Sequence, residues 1–319
     1  MQAIVQDNYG TEEELTLRTI DKPAIGDGEV LVRVQAASVH VGDWIVMTGS
    51  PFVMRLATGL RRPKNRVPGT DLAGIVEAVG KDVRRLRPGD AVFGWCAGAF
   101  AEYARATEDQ LIKKPANLSF DQAAALGVSA STALQLLRDD ARVQPGGKVL
   151  INGASGGVGS FAVQIAKAFG AEVTGVCSTK NVELVHSIGA DHVIDYTRDD
   201  FTTGTERYDV ILDNVGNHSM ARTRRALTPL GTLISNGGGH ADGKLARTLR
   251  TLLVSMFVRQ QASPTVKTQN HDDLVALRDL VDGGSIAPVI AGIYPLSRTP
   301  EAIGHVAAGH ARGTVVIRI

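Results

Sequence analysis

A short apolar run and a helical one are joined by the segment Ile151-Asn152-Gly153-Ala154-Ser155-Gly156-Gly157-Val158-Gly159. Lys148–Asn152 predicts a short buried strand and residues 158–169 predict a helix, so the glycines stand where a strand must turn directly into a helix. A glycine at 156 lets the backbone approach a pyrophosphate. One at 159 lets helix and strand pack closely, and the helix start offers oriented N–H groups and a favourable dipole. Ala154 occupies the place where the first glycine of a G-x-G-x-x-G turn is expected. Ala154, Ser155, Gly156, Gly157, Val158 and Gly159 therefore read as a phosphate-cradling turn for a dinucleotide.

The surrounding pattern agrees with that turn. Strand-like runs at Lys148–Asn152, Glu172–Cys177, His192–Asp195, Tyr208–Asp213 and residues 231–235 alternate with helical runs at residues 158–169, 182–188 and 220–227. Strands separated by helices imply a parallel sheet covered on both faces. Ser119, with Gln122 three residues on, marks a helix start. One more helix is predicted over residues 272–281, and residues 313–319 read as a strand. Before residue 111 the chain is different: short β-rich segments at residues 28–34, 74–80 and 88–94 are broken by turn residues, as in an antiparallel domain. The fold class is thus α/β, a β-rich domain plus a doubly wound parallel-sheet domain. Residues 50–68, with Arg55, Arg61, Arg62, Lys64 and Arg66 among apolar residues, read as a basic loop, or a short helix followed by one, forming a solvated face.

With 319 residues there is sequence for two domains. The 34 basic and 33 acidic side chains leave a net charge of +1, so no global field favours nucleic acid or an anionic membrane. The two cysteines, Cys96 and Cys177, build neither a disulfide framework nor a four-cysteine zinc lobe, and they fit a reducing cytoplasm. No apolar run is long enough to span a bilayer.

The end of the second strand of a dinucleotide-binding unit usually presents an acidic residue to the ribose hydroxyl. Here Cys177, Ser178, Thr179 and Lys180 occupy it. With no carboxylate among them to repel a 2′-phosphate, and with hydroxyls and an ammonium to receive one, NADPH is expected over NADH. A charge-assisted hydrogen bond contributes about 1.5–3 kcal/mol, or roughly ten- to a hundredfold in affinity.

Val149-Leu-Ile-Asn-Gly-Ala-Ser-Gly-Gly-Val-Gly159, Gly189-Ala-Asp-His-Val-Ile-Asp-Tyr196 and Tyr208-Asp-Val-Ile-Leu-Asp-Asn-Val-Gly216 closely resemble the medium-chain dehydrogenase/reductase superfamily. The fit is best with its zinc-independent quinone oxidoreductase branch. The resemblance extends to Ala36-Ala-Ser38, Asp43-Trp44, Val67-Pro-Gly-Thr-Asp-Leu-Ala-Gly74 and Gly98-Ala-Phe-Ala-Glu-Tyr-Ala104. It implies a GroES-like substrate domain over residues 1–120, rejoined by residues 290–319. A Rossmann NADP-binding domain over residues 121–289 is inserted between them, with the active site in the cleft.

Where zinc alcohol dehydrogenases of this superfamily hold their catalytic metal, alignment places His40, Thr70 and Val128, and one imidazole does not replace three donors. No metal is therefore expected. Without one, the easiest hydride acceptors are already electron-poor: quinones, or alkenes conjugated to a carbonyl.

The resemblance puts His40 in the cleft as a hydrogen-bond donor or proton relay, with a structural histidine as the alternative. Trp44 is a flat wall for a planar acceptor, or else a core aromatic, and Asp43 has a supporting role. Thr132, Asn214, Asn236 and Gly237 follow the pattern of residues lining ribose and nicotinamide. Tyr196 borders the adenine end, and Phe257 lies near the nicotinamide. His40 stands where the branch usually carries Asn, and Asn181 where it carries Lys.

The resemblance further implies a homodimer acting on a small electrophile, and the expected compartment is the cytoplasm. Two alternatives stay open. A zinc-type alcohol dehydrogenase would show bound zinc, and a non-catalytic NADPH-sensing scaffold would gain turnover on His40→Asn.

Overall fold

The computed structural model describes residues 1–236, 261–264, 268–309 and 311–319. The chain forms two compact units. The first comprises Met1–Ser131, Gln269–Gly284 and Pro288–Ile319, and the second Thr132–Thr268 and Ser285–Ala287. The division expected after residue 120 thus falls at Ser131/Thr132. The physical reason is local: the helix Gly127–Gln135 begins against Asp71 of the first unit, whose carboxylate accepts the Val128 N–H at 2.9 Å. The predicted helix at 272–281 spans His271–Asp282 and belongs to the first unit.

The first unit holds β1 (Gln2–Gln6), β2 (Leu15–Thr19), β3 (Glu29–Val39), β4 (Asp71–Val79), β5 (Ala91–Trp95), β6 (Tyr103–Thr107) and β7 (Leu111–Lys113). The second contributes β8 (Lys148–Asn152), β9 (Glu172–Cys177), β10 (His192–Asp195), β11 (Tyr208–Asp213), β12 (Leu227–Ser235) and β13 (Gln261–Pro264). The chain then returns to the first unit with β14 (Ile290–Pro295) and β15 (Thr314–Arg318).

In the first unit a seven-stranded sheet runs β14-β15-β3-β4-β5-β7, with β6 also paired to β3. β3 lies within it on a largely apolar strand, with Val30, Val32, Val34, Ala36 and Ala37 all buried. The tail returns as β15, antiparallel to β3 with Val315 opposite Val39. Val315, Val316 and Ile317 are fully buried there, and each contributes about 1.5–3 kcal/mol on leaving water. The Ser119 helix start is realised as a capping box with Gln122. Residues 50–68 carry a single turn at Phe52–Met54 and a short helix at Arg55–Thr58.

The second unit is a six-stranded parallel sheet in the order β10-β9-β8-β11-β12-β13. Val149, Leu150 and Ile151 of β8 are buried without alternation, which marks a strand covered on both faces. Strand order reverses between β8 and β11, and ligands bind such doubly wound sheets outside the carboxyl ends of the strands at that switch. The predicted helix at 220–227 is shorter, Met220–Thr223, followed by a tight turn, and β12 begins at Leu227. Leu227 pairs with Tyr208, and the register then jumps to Thr232 opposite Val210. Pro229 and Gly231 occupy the resulting irregularity, where they imitate a loop in the sequence.

Candidate functional site

In the second unit each described cofactor candidate of the sheet follows the carboxyl end of a strand. Ala154 to Gly159 follow β8, Ser178 to Lys180 follow β9, Tyr196 follows β10, Asn214 follows β11 and Asn236 follows β12. Thr132 lies on the helix Gly127–Gln135 and is half-buried. Gly237 and Phe257 lie outside the described residues.

The tight turn is made by Gly153, at φ +81°, one residue before the position expected, and Ala154 is fully buried behind it. A Cβ on Gly159 would fall 2.0 Å from the Gly153 carbonyl oxygen, whereas one on Gly156 would meet nothing closer than 3.5 Å. Gly159 is therefore required by the packing of helix on strand. Gly156 is not, and the space it leaves is a cradle open to a ligand. Gly156 is also the N-cap of the helix Gly157–Ala168 and offers no side chain to it, so the first N–H groups of that helix keep their donor capacity. Ser155 is tied down differently, its Oγ accepting from Asn181 Nδ2 at 2.9 Å.

Two further polar features sit at the switch point. Asn214 Oδ1 accepts from Asn236 Nδ2 at 2.8 Å, while Asn214 Nδ2 is buried with no hydrogen-bond partner among the described residues. A buried amide left without an acceptor is costly unless something else supplies one. Asp213 Oδ1 takes N–H groups from Val215 and Gly216 and the amide of Asn152, whose Nδ2 also reaches Asn217 Oδ1 at 3.0 Å. Asn152, Asp213 and Asn217 were not singled out in the sequence. Their signal is that polar residues close two otherwise apolar strands.

The carboxylate missing from residues 177–180 is supplied by the neighbouring strand. Asp195 lies opposite Cys177 in the β9–β10 register, and its Oδ2 accepts from Thr179 Oγ1 at 2.6 Å. That hydrogen bond, with those from Thr197, holds the Asp195 carboxyl below the usual range, so it is ionised. The Thr179 hydroxyl is thereby committed within the protein. Tyr196 is exposed. Burial pushes the Cys177 thiol up to about 11, which leaves it inert.

In the first unit His40 caps the helix Val41–Thr48. Its Nδ1 accepts from Gly42 N at 3.0 Å, and its own N–H donates to Asp43 Oδ2 at 2.9 Å. An accepting Nδ1 places the ring proton on Nε2. That atom is buried without a hydrogen-bond partner among the described residues, and Asp43 Oδ2 is 3.5 Å away. Burial is the main cause that pushes the Asp43 carboxyl up to about 6, opposed by His40. Asp71 is also raised by burial. It receives Ser38 Oγ at 2.8 Å, Val128 N at 2.9 Å and Gln269 Nε2 at 3.3 Å. Trp44 is partly buried and packs against the core of this unit.

These residues do not fit a catalytic zinc. His40 uses one ring nitrogen as a cap, Thr70 is a neutral hydroxyl, and Val128 offers no side-chain donor. Among the described residues no three His, Cys, Asp or Glu converge as a metal would require. No helix among them is long and apolar enough to cross a membrane.

A doubly wound sheet with a glycine-lined, uncapped helix start at its switch point has the geometry of a dinucleotide-binding unit, and the chain couples it to a β-rich unit. Two family models match, "Alcohol dehydrogenase GroES-like domain" over residues 26–116 and "Zinc-binding dehydrogenase" over residues 188–317. The chain is 33% identical to a Bos taurus protein named NAD(P)H oxidoreductase RTN4IP1, mitochondrial, over 100% of this chain and 89% of the relative. It is 32% identical to the chloroplastic NADPH-dependent alkenal/one oxidoreductase of Arabidopsis thaliana, over 99% of this chain and 79% of the relative. The solved quinone oxidoreductase of Coxiella burnetii superposes with a TM-score of 0.87 at 30% identity, covering 100% and 99% of the two chains. The chain belongs to the medium-chain dehydrogenase/reductase superfamily, in its quinone oxidoreductase branch, and is an oxidoreductase of the nicotinamide-dependent kind.

Proposed function

We propose that the protein is an NADPH-dependent, zinc-independent reductase of quinones or α,β-unsaturated carbonyl compounds. The observation that carries this reading is the uncapped helix start at Gly156, open where a Cβ would otherwise stand, at the sheet's switch point. Backbone N–H groups of residues 157–159 would hold the diphosphate, with Asn214 and Asn236 toward the nicotinamide end and Tyr196 toward the adenine. The orphaned Asn214 amide gains its missing acceptor in that way. When bound, reduced nicotinamide supplies a hydride to an electron-poor carbon.

Ser178 and Lys180 support the 2′-phosphate reading, and Asp195 opposes it through its charge. The Arabidopsis relative's name gives NADPH. His40 supplies what the acceptor needs: a desolvated Nε2–H, fixed in tautomer by the Gly42 bond, to donate to the oxygen that gains charge. Trp44 borders the acceptor.

The test is loss of reduced-nicotinamide absorbance by EDTA-treated protein, with NADPH and NADH each offered against quinones, enones and simple aldehydes. Quinone or enone turnover, faster with NADPH and unchanged by EDTA, is expected. Turnover confined to aldehydes and abolished by EDTA overturns it.

A further inference from the structure

Residues 44–70 contain Arg55, Arg61, Arg62, Lys64 and Arg66 and no Asp or Glu until Asp71 lies beyond them. The whole chain carries +1, so everything outside this stretch nets 1 − 5 = −4. The near-neutral total conceals a local segregation of charge, which is what a partner within a Debye length of about 8–10 Å senses.

The same stretch is solvated as expected, but its exposed side chains are not only the charged ones. Twelve large apolar side chains are exposed among the described residues, and five of them, Phe52, Val53, Met54, Leu56 and Leu60, fall within residues 52–60. Phe52 and Leu56 are each 66% exposed. Isolated exposed apolar residues need no explanation, whereas a cluster does.

The segment is anchored from beneath. Tyr9 Oη donates to the Gly59 carbonyl at 2.7 Å, and Lys64 N donates to Thr58 O at 2.8 Å. The Arg55 guanidinium lies 4.5 Å from the Tyr9 ring centre, and its Nε donates to Gly49 O at 3.1 Å. Arg55 is thus used in holding the loop, and Arg66 pairs with Asp7. Arg61, Arg62 and Lys64 are exposed and form no ion pair with the described residues.

We propose that residues 52–64 form a peripheral docking surface for an anionic lipid bilayer. Phe52, Leu56 and Leu60 enter the boundary between headgroups and acyl chains, and Arg61, Arg62 and Lys64 meet lipid phosphates. A strongly acidic protein or a nucleic acid would match the cations but would leave the exposed Phe52, Leu56 and Leu60 in water. A bilayer interface satisfies both. The proposal is independent of the reductase reading.

The experiment is co-sedimentation of the full chain with vesicles of phosphatidylcholine containing about one third phosphatidylglycerol, against vesicles of phosphatidylcholine alone. Mass in solution is followed by light scattering. Binding to the anionic vesicles only, reversed by salt, is expected. It should fall at least about tenfold in R61E/R62E and comparably in F52S/L56S, both confined to exposed side chains, with folding checked by circular dichroism and NADPH affinity. No binding to anionic vesicles at low salt overturns the proposal, as does binding indifferent to both variants. If the chain self-associates and F52S/L56S disperses it without affecting sedimentation, a second copy covers the patch and the lipid reading falls.

Discussion

Replacing Asp71 by alanine and by asparagine separates two reasons for a buried carboxylate. Its side chain is fully buried and receives Ser38 Oγ and Val128 N on one oxygen and Gln269 Nε2 on the other. Alanine removes the acceptor from the buried Ser38 hydroxyl and from the first turn of the helix Gly127–Gln135. Each stranded donor costs about 1–3 kcal/mol, and the 3.3 Å Gln269 contact adds little. Release of a desolvated carboxyl, whose pKa burial has raised, offsets part of this. The net expectation is a loss of about 2–4 kcal/mol. Asparagine keeps one oxygen for Ser38 and Val128, and a flip of Gln269 gives its new amide an acceptor, so the loss stays within about 1 kcal/mol. Both tryptophans, Trp44 and Trp95, lie in the first unit, so urea unfolding followed by tryptophan fluorescence reports on the unit that holds Asp71. A Cβ on Gly127 would fall 2.1 Å from Asp71 Cγ, so G127A should be destabilising alone and partly rescued in D71A. Equal midpoints for D71A and D71N would refute the argument from stranded donors.

Gly159→Ala should weaken NADPH binding by about ten- to a hundredfold, because its Cβ meets the Gly153 carbonyl and forces helix from strand; full affinity in a fluorescence titration would show the close approach to be dispensable. Asp195→Asn should raise the ratio of NADPH to NADH affinity by about three- to tenfold by removing the carboxylate charge beside Thr179, and an unchanged ratio would place the 2′-phosphate elsewhere. Asp43 keeps its proton up to about pH 6 in the native state, against about 3.9 unfolded. Its contribution to stability is therefore present below about pH 4 and lost as the pH rises toward 6, by about 2–3 kcal/mol. Urea midpoints across that window should fall in the parent and stay flatter in Asp43→Asn. His40→Ala should lower kcat by about a hundred- to a thousandfold and stability by about 1 kcal/mol. His40→Asn should keep both the cap and an N–H donor and so lose less than His40→Ala, and equal kcat in all three would leave His40 a cap alone.

The parallel strands were legible to the residue at Lys148–Asn152, Glu172–Cys177, His192–Asp195 and Tyr208–Asp213, because a short buried strand is an apolar run with polar or turn residues at its ends. The strand at Leu227 was legible only in its second half, since Pro229 and Gly231 interrupt the pattern where the pairing with β11 itself jumps. The turn at 153–159 was legible through its glycines, although which glycine makes the left-handed bend was displaced by one. What the sequence hid were contacts between distant positions. Val128 and Gln269 lie 57 and 198 residues from Asp71, and no local pattern announces that one carboxylate joins them. Asp195 escaped notice for the same reason: sixteen residues separate it from Thr179, and strand register alone brings the two together.

That same distinction governs the first unit's polar cluster. In the zinc dehydrogenases this chain resembles, three donors converge on a metal; here the aligned residues are His40, Thr70 and Val128. His40 Nδ1 and Asp43 cap one helix, and Val128 N begins another helix on Asp71. Hydrogen bonds have taken over the positioning, and a single imidazole N–H is left uncommitted. A lone neutral donor stabilises an oxygen whose charge develops late and is shared through conjugation, but it polarises an isolated carbonyl far less than a divalent metal does. On the proposed reading, this cluster suits addition of hydride to acceptors that are electron-poor before they bind.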